Sequence, residues 1–343
     1  MSLQVREGNK TPICYLSSRY RSHARAANDY CDLLSADYSV SEQLDSKIVI
    51  LHVEPHNYRA LFDKYPQLKD KYVIAFCVWE ATPLPETYRD SLQLVQEVWT
   101  CSKYCVNIIK RDHPNVIYVP HLVKRSLAFS SNDMDKTKAI VRYDARCHYF
   151  LHITKMWDKR KNTPALIQLV SSLRSRIPNA RLIIKDIQGK QERIYHDTNI
   201  CYIGSHLSDE ELNALYTLSC GYISPHHSEG WGFTMSDAAL FRRPVIATGY
   251  SGNLEYLDEQ NSLLIAYHER NIDSGDEYEL FNSSMSWAYP DIKDLANKLV
   301  WLYDNLDQPS VREMINRAAE SAARFNSSLI TEIMRTRLQA ILH

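Results

Sequence analysis

Short, unbroken apolar runs recur along this chain, and between them apolar positions return every three or four residues. TPICYLS (11–17), KIVILHV (47–53), YVIAFCV (72–78), EVWTCS (97–102) and NVIYVPH (115–121) read as strands buried inside an α/β sheet. A second series follows: HYFLHIT (148–154), RLIIKDI (181–187), NICYIGS (199–205), LSCGYIS (218–224) and LLIAYHE (263–269). Helical spacing fills the gaps. Leu166, Leu169, Val170, Leu173 and Ile177 form one apolar stripe behind Pro164, with Asn162 or Thr163 as cap. Ser208 with Glu211 makes a capping box that opens another helix. Further helices are predicted over 22–34, 291–306, about 310–324 and 327–342, and 271–290 reads as an irregular acidic passage. Strands alternating with helices predict an α/β fold. The polar stretch Lys124–Arg142, rich in Ser, Asp, Lys and Asn, separates the two series. The division expected is an N-terminal domain over 1–125, a linker over 126–142, a C-terminal domain over 143–325 and a terminal helix over 326–343.

Composition sharpens this outline. At 343 residues the chain exceeds the usual limit of one core, and 45% apolar content suffices for two. A net charge of −1 argues against nucleic acid or any bulk polyanion as partner. The first residues, MSLQVREGNKTP, are polar and do not resemble a signal peptide, and no run approaches the ~18 apolar residues of a membrane span. A soluble, cytoplasmic protein is expected. Its eight cysteines show no C-x-x-C and read as reduced core thiols rather than a zinc site or disulfide framework. Asn282 and Asn326 match the glycosylation pattern, which is inert in that compartment.

Candidate chemistry concentrates in PHHSEGWGFTMSDAALFRRPVIATGYSGNLEY (225–256), which holds four of only nine glycines. Gly230 and Gly232 let the backbone approach a ligand, and Thr234 is placed to cap the helix that follows, leaving its first N–H groups for an anion. Glu229 and Asp237 put one carboxylate in the loop and one on the helix, a pair suited to a ligand with several hydroxyls. Cations gather after the strand at 148–154, in KMWDKRKN (155–162), and after the first strand as Arg19, Arg21, His23 and Arg25. Glu54 and His56 follow the strand at 47–53, where open α/β sheets place ligands.

EGWGFTMSD (229–237) resembles the E-x7-E signature of glycosyltransferase family 4, with Asp237 where that family usually has Glu. GYSGNLEY (249–256) resembles the family's glycine turn. The stretch from VWE (78–80) through EVWTCSKY (97–104) to VPHLV (119–123) is similar to the second half of its N-terminal domain. The resemblance implies the GT-B architecture, two Rossmann-like α/β domains facing each other across a cleft, with a terminal helix crossing back to the first. It also implies retaining transfer from a nucleotide-sugar. Carried onto this sequence, Glu229, Arg160 and Lys161 become catalytic, the cations gripping the donor diphosphate. Asp237, Gly230, Trp231, Gly232, Phe233, Thr234, Lys155 and Lys185 become donor-binding. His56, Glu54, Arg19 and Arg21 become cleft or acceptor candidates, and Glu80 reads as structural.

No D-x-D stands in a suitable loop, so cationic side chains and a helix dipole are the available electrophiles, and neither metal nor cofactor is expected. The reaction so implied moves a hexose from GDP-mannose or a UDP-hexose to a glycan or lipid-linked acceptor, with which peripheral membrane association is compatible. The alternative is a non-catalytic nucleotide-sugar-binding subunit of a glycosyltransferase complex, suggested by the altered second acid and a first loop without glycine. An oxidoreductase is disfavoured because no G-x-G-x-x-G opens a strand–helix unit. A glycosidase is disfavoured because the two acids are better explained by donor binding than as a pair flanking one bond.

Overall fold

The computed structural model describes residues 10–18, 21–187, 194–197 and 199–343. The chain forms two units, one of Met1–Trp79, Leu84–Leu122 and Phe325–His343, the other of Glu80–Pro83 and Val123–Arg324.

The first unit is built on a six-stranded parallel sheet of β1 (Thr11–Ser17), β2 (Tyr38–Ser41), β3 (Ile48–His52), β4 (Tyr72–Phe76), β5 (Glu97–Thr100) and β6 (Val116–Tyr118). The spatial order β2-β1-β3-β4-β5-β6 reverses at β1, because β2 lies on one side of it and β3 on the other. All five residues of β3 are buried, as an apolar run covered on both faces requires. Helices α1 (Arg21–Leu34), α2 (Tyr58–Lys64), α3 (Glu86–Leu92) and α4 (Lys103–Ile109) connect the strands, and the chain's last helix, α11 (Ser327–Leu342), packs on α1. Ser102 caps α4 by accepting from the Cys105 N–H. An acid can open the buried strand β5 because Glu97, fully buried, receives Trp99 Nε1 at 2.6 Å and the guanidinium of Arg337 from α11.

The second unit holds seven strands: β7 (His148–Thr154), β8 (Ala180–Asp186), β9 (Ile194–His196), β10 (Ile200–Ile203), β11 (Gly221–Ser224), β12 (Val245–Thr248) and β13 (Leu263–Ile265). Their order is β13-β12-β11-β7-β8-β10-β9, all parallel except β9, which runs against β10. Here the reversal falls between β7 and β11. Helices α5 (Ser131–Val141), α6 (Thr163–Ser172), α7 (Asp209–Leu218), α8 (Phe233–Leu240), α9 (Ile292–Asn305) and α10 (Pro309–Ala323) complete the unit. Phe150, Leu166, Leu182, Ile223, Ile246, Leu295 and Leu299 are among the residues of its core.

Three features depart from the sequence reading. The stretch expected as a linker contains α5, opened by a capping box of Ser130 and Asp133 and packed on α7. The run LLIAYHE divides between β13 and a separate ribbon, β14 (Tyr267–Asn271) paired antiparallel with β15 (Ser286–Pro290). That ribbon occupies the passage expected to be irregular, and its outer strand is exposed at all five positions, so no apolar pattern announced it. All eight cysteines are free thiols, but only Cys14, Cys77, Cys101, Cys105 and Cys201 are buried, and burial pushes Cys14 up to about 11. Among the described residues no helix is long and apolar enough to cross a membrane.

Candidate functional site

Open parallel sheets bind ligands beyond the carboxyl ends of the strands where the strand order reverses. In the second unit that place is the end of β7 and β11, which pair through Phe150 with Gly221 and Leu151 with Tyr222. His152 fastens the two strands, one ring nitrogen meeting the Ile223 carbonyl at 2.8 Å and the other the Thr163 hydroxyl at 3.0 Å. Burial holds that imidazole neutral, its pKa lowered to about 4. Beyond β7 the chain turns through 155–162, and beyond β11 through 225–232. The His227 N–H donates to the Arg160 carbonyl at 2.7 Å, which locks the two loops edge to edge.

An ion cluster fills the space between them. Arg160 is buried, and its Nη1 donates to the Ser228 carbonyl at 2.7 Å and to Glu229 Oε2 at 3.4 Å. Its Nη2 donates to Asp158 Oδ2 at 3.1 Å, and Glu80 Oε1 stands 3.5 Å from Nη1. Lys161 Nζ donates to Glu229 Oε1. Asp158 also accepts from the Arg160 N–H at 3.1 Å and from the Tyr278 hydroxyl at 2.6 Å. Burial alone would raise the Glu229 carboxyl, but Lys161 and Arg160 outweigh it and hold its pKa at about 2. Glu229 is therefore an anion at any working pH.

Lys155, at the mouth of the same loop, is only 8% exposed; burial, reinforced by the charge of Lys161, lowers its pKa to about 8. Its ammonium is intact below that pH and lost above it. Nucleoside diphosphate affinity is accordingly expected to fall about tenfold between pH 7 and pH 9 if this charge meets the phosphates. Lys155→Arg should remove the dependence, because a guanidinium does not titrate in that range. Isothermal titration across the pH series reads this directly.

The glycine turn fixes the backbone of Glu229. Its N–H donates to Ser251 Oγ at 2.8 Å and its carbonyl accepts from the Gly252 N–H at 2.9 Å. A Cβ on Gly252 would lie 1.9 Å from the Gly230 carbonyl oxygen, so SGN is a close-approach turn with no room for a side chain. Gly252→Ala is expected to cost about 3 kcal/mol or more, seen as a lowered denaturant midpoint. Gly232, at φ +87°, turns the chain into α8 from the left-handed region.

That glycine is the N-cap of α8, which corrects the reading of Thr234 as the cap. Thr234 lies inside the first turn, its hydroxyl bonded to that of Tyr222 at 2.7 Å. Gly230 and Trp231 are buried in the turn, and the Trp231 carbonyl accepts from Tyr256 at 3.0 Å; Phe233 is half-buried. The two acids have different partners. Asp237, 2% exposed, is paired with Arg125 at 3.3 Å, and Arg125 is in turn held by Asn213 Oδ1 at 2.7 Å. Lys185 is buried at the end of β8, where Nζ donates to the Asp186 carbonyl at 2.6 Å.

In the first unit, Glu54 follows β3 and accepts from Ser18 at 3.2 Å, while His56 is exposed beside Asn57. Arg21 is the first residue of α1, and Arg19 lies outside the described residues. Sequence reasoning missed Asp158, Tyr278 and Arg125 and set Glu80 aside. Asp158 carried a signal, an acid two positions before Arg160 at the start of a turn; the other three carried none. Among the described residues no group of three His, Cys, Asp or Glu is placed to hold a metal ion.

Residues 149–274 match the family described as glycosyl transferases group 1. This segment belongs to that family. The resemblance first read from EGWGFTMSD therefore holds, and the group 1 match spans β7 to β14, from the Lys155 loop through Glu229 and the glycine turn. No curated protein is similar to the chain by sequence. Among solved structures, a glycosyltransferase from Rickettsia africae superposes with a TM-score of 0.70 at 12% identity, covering 97% of this chain and 98% of that one. HepE from Anabaena, in complex with UDP and glucose, gives 0.69 at 12% identity, with 96% and 100% covered. The pneumococcal O-GlcNAc transferase GtfA, in complex with UDP and GlcNAc, gives 0.59 at 17% identity over 86% of this chain. The chain spans only 57% of the length of GtfA. The fold is thus that of GT-B glycosyltransferases, each unit an α/β sheet of six parallel strands, with β9 added to the second.

Proposed function

We propose that the chain is a retaining glycosyltransferase that moves a hexose from a nucleotide-sugar to a glycan or lipid-linked acceptor in the cytoplasm, without a metal ion. The observation that carries this is Glu229 held between Lys161 and Arg160 at the strand reversal of the group 1 unit. Departure of a nucleoside diphosphate builds negative charge on the leaving oxygens and positive charge on the sugar ring. Lys155, Arg160 and Lys161 oppose the first, and the Glu229 carboxylate opposes the second. The cations supply the countercharge that a metal would otherwise provide. Asp237 takes the ribose hydroxyls alongside its Arg125 partner. HepE and GtfA are both solved with UDP, which favours a UDP-hexose over GDP-mannose here.

The burial of Asp237 against Arg125 favours a second reading, a subunit that binds a nucleotide-sugar without turning it over. Titration with UDP and GDP, followed by donor hydrolysis and transfer assays with UDP-glucose, UDP-GlcNAc and GDP-mannose in the presence of EDTA, separates the two. Hydrolysis or transfer supports the enzyme, binding without either supports the subunit, and binding of neither nucleotide sinks both.

A further inference from the structure

The ribbon β14–β15 and the turn joining its strands lie mostly beyond the group 1 match, yet the turn bonds the cationic loop and β15 bonds the loop after β11. Tyr278, in the connecting turn, donates its hydroxyl to Asp158 at 2.6 Å. Lys159 Nζ donates to the carbonyls of Gly275 at 2.6 Å and Glu277 at 3.1 Å, so the two turns are joined by side chains from both. On β15, the Ala288 backbone is bonded twice to His227 of the second loop, once to its backbone and once to its ring. Its N–H donates to the His227 carbonyl at 3.1 Å, and its carbonyl meets His227 Nδ1 at 2.7 Å. The His227 ring stacks on Trp287 with centroids 5.0 Å apart and planes 7° from parallel. Ser286 pairs with Thr82 in both directions, at 2.7 and 3.1 Å, beside Glu80, the third carboxylate on Arg160.

We propose that Tyr278 is a positioning residue for donor binding, and that the ribbon is the brace that aims Arg160. Asp158 has one carboxylate to orient two groups of Arg160, its N–H and its Nη2. A carboxylate held only by the residues it orients can rotate about its side-chain torsions. A phenol fixed from a separate element removes that freedom, so Arg160 Nη1 keeps its direction toward Ser228 and Glu229. Tyr278 suits this task chemically, since burial raises its pKa far above the usual phenol value and it remains a donor at every working pH. The Trp157 ring lies edge-on to the same phenol, with centroids 6.3 Å apart.

The inference rests on reading the loop as a nucleotide-sugar site, and the experiment separates failure of the one from failure of the other. Tyr278→Phe keeps the ring and removes one hydroxyl. Amide exchange of peptides covering 155–163 in the ligand-free protein is expected to quicken about tenfold, as for the loss of one charge-assisted hydrogen bond. UDP or GDP affinity, by titration, is expected to weaken about tenfold in Tyr278→Phe, and the denaturant midpoint to fall by no more than the loss of that one hydrogen bond. In an Arg160→Ala background the same substitution should cause no further loss, because the brace then has nothing to aim. Unchanged exchange overturns the proposal, as does a loss of affinity that adds in full to that of Arg160→Ala. If the unaltered protein takes up neither nucleotide, the reading of the site fails, and the exchange measurement alone decides for or against the brace.

Discussion

Glu229→Gln is expected to lower sugar transfer by a factor of about 10²–10³, with nucleoside diphosphate binding retained or tightened. The substitution preserves shape and the backbone bonds to Ser251 and Gly252; it removes the charge and turns one of the two oxygens facing Lys161 and Arg160 into an amide donor. In the unaltered protein the carboxylate is buried, ionised and shared by Lys161 and Arg160. In the role proposed for it, that anion stabilises a sugar ring gaining positive charge as the diphosphate leaves, a benefit confined to the transition state. The neutral amide of the variant offers a dipole in its place. Lys161 and Arg160, relieved of one carboxylate, remain available to phosphate, so the loss falls on kcat and not on KM. Initial rates of transfer or donor hydrolysis, set beside UDP titration, test both halves, and an unchanged kcat would count decisively against the role assigned to Glu229.

The same carboxylate has a separate signature in stability. Its pKa is depressed from 4.5 to about 2, so the folded state binds fewer protons than the unfolded one in that interval. The stabilisation is complete above about pH 4.5 and is lost as pH falls toward 2. Glu229→Gln should flatten that part of the stability profile.

Arg337→Ala is expected to destabilise the first unit by about 2–3 kcal/mol. Glu97 is fully buried in β5, and Arg337 approaches it from α11 with Nε at 2.7 Å and with Nη2, beside the Tyr72 hydroxyl at 3.1 Å and Trp99 Nε1 at 2.6 Å. Truncating the arginine leaves a carboxylate in a protein interior with only two neutral donors. Breaking a wholly buried pair would cost more, but the Arg337 side chain is about a third exposed, and water reaches its end of the pair. Glu97→Gln should reduce the penalty of Arg337→Ala, since the charge left behind is then absent. Urea unfolding of the four proteins of this cycle measures the coupling. Additive effects would show that the helix is held by its Ile330, Met334 and Leu338 face alone.

How far the chain could be read without coordinates depends on the range over which each feature is determined. The strands at 11–17 and 148–154 coincide with the apolar runs that announced them, because a strand covered on both faces needs no partner to be recognised. The Ser208 capping box and the Asp291 start of α9 are equally local, each set by a side chain within three residues of the N–H it caps. The glycine turn was visible too, since only glycine fits where the Gly252 backbone passes Gly230. The pairing of charges was not. Arg160 and Glu229 are 69 positions apart, and Arg125 and Asp237 are 112 apart, so which cation meets which acid follows from strand order and loop docking. Thr234 shows the same limit at short range: its residue type suits a cap, but the left-handed turn at Gly232 had already started the helix at Phe233, one residue before it. Strand β14 gave no signal because YHERN is polar and exposed at every position, and it is held by pairing with β15, whose Trp287 and Ala288 are the buried side of the ribbon. The sequence by itself determined two series of buried strands and a group 1 signature with its acids and cations. Tertiary structure alone decided that Lys161 and Arg160 converge on Glu229, that Arg125 takes Asp237, and that Tyr278 reaches Asp158, because Coulomb and hydrogen-bond energies act over a few ångströms of space and are blind to separation along the chain.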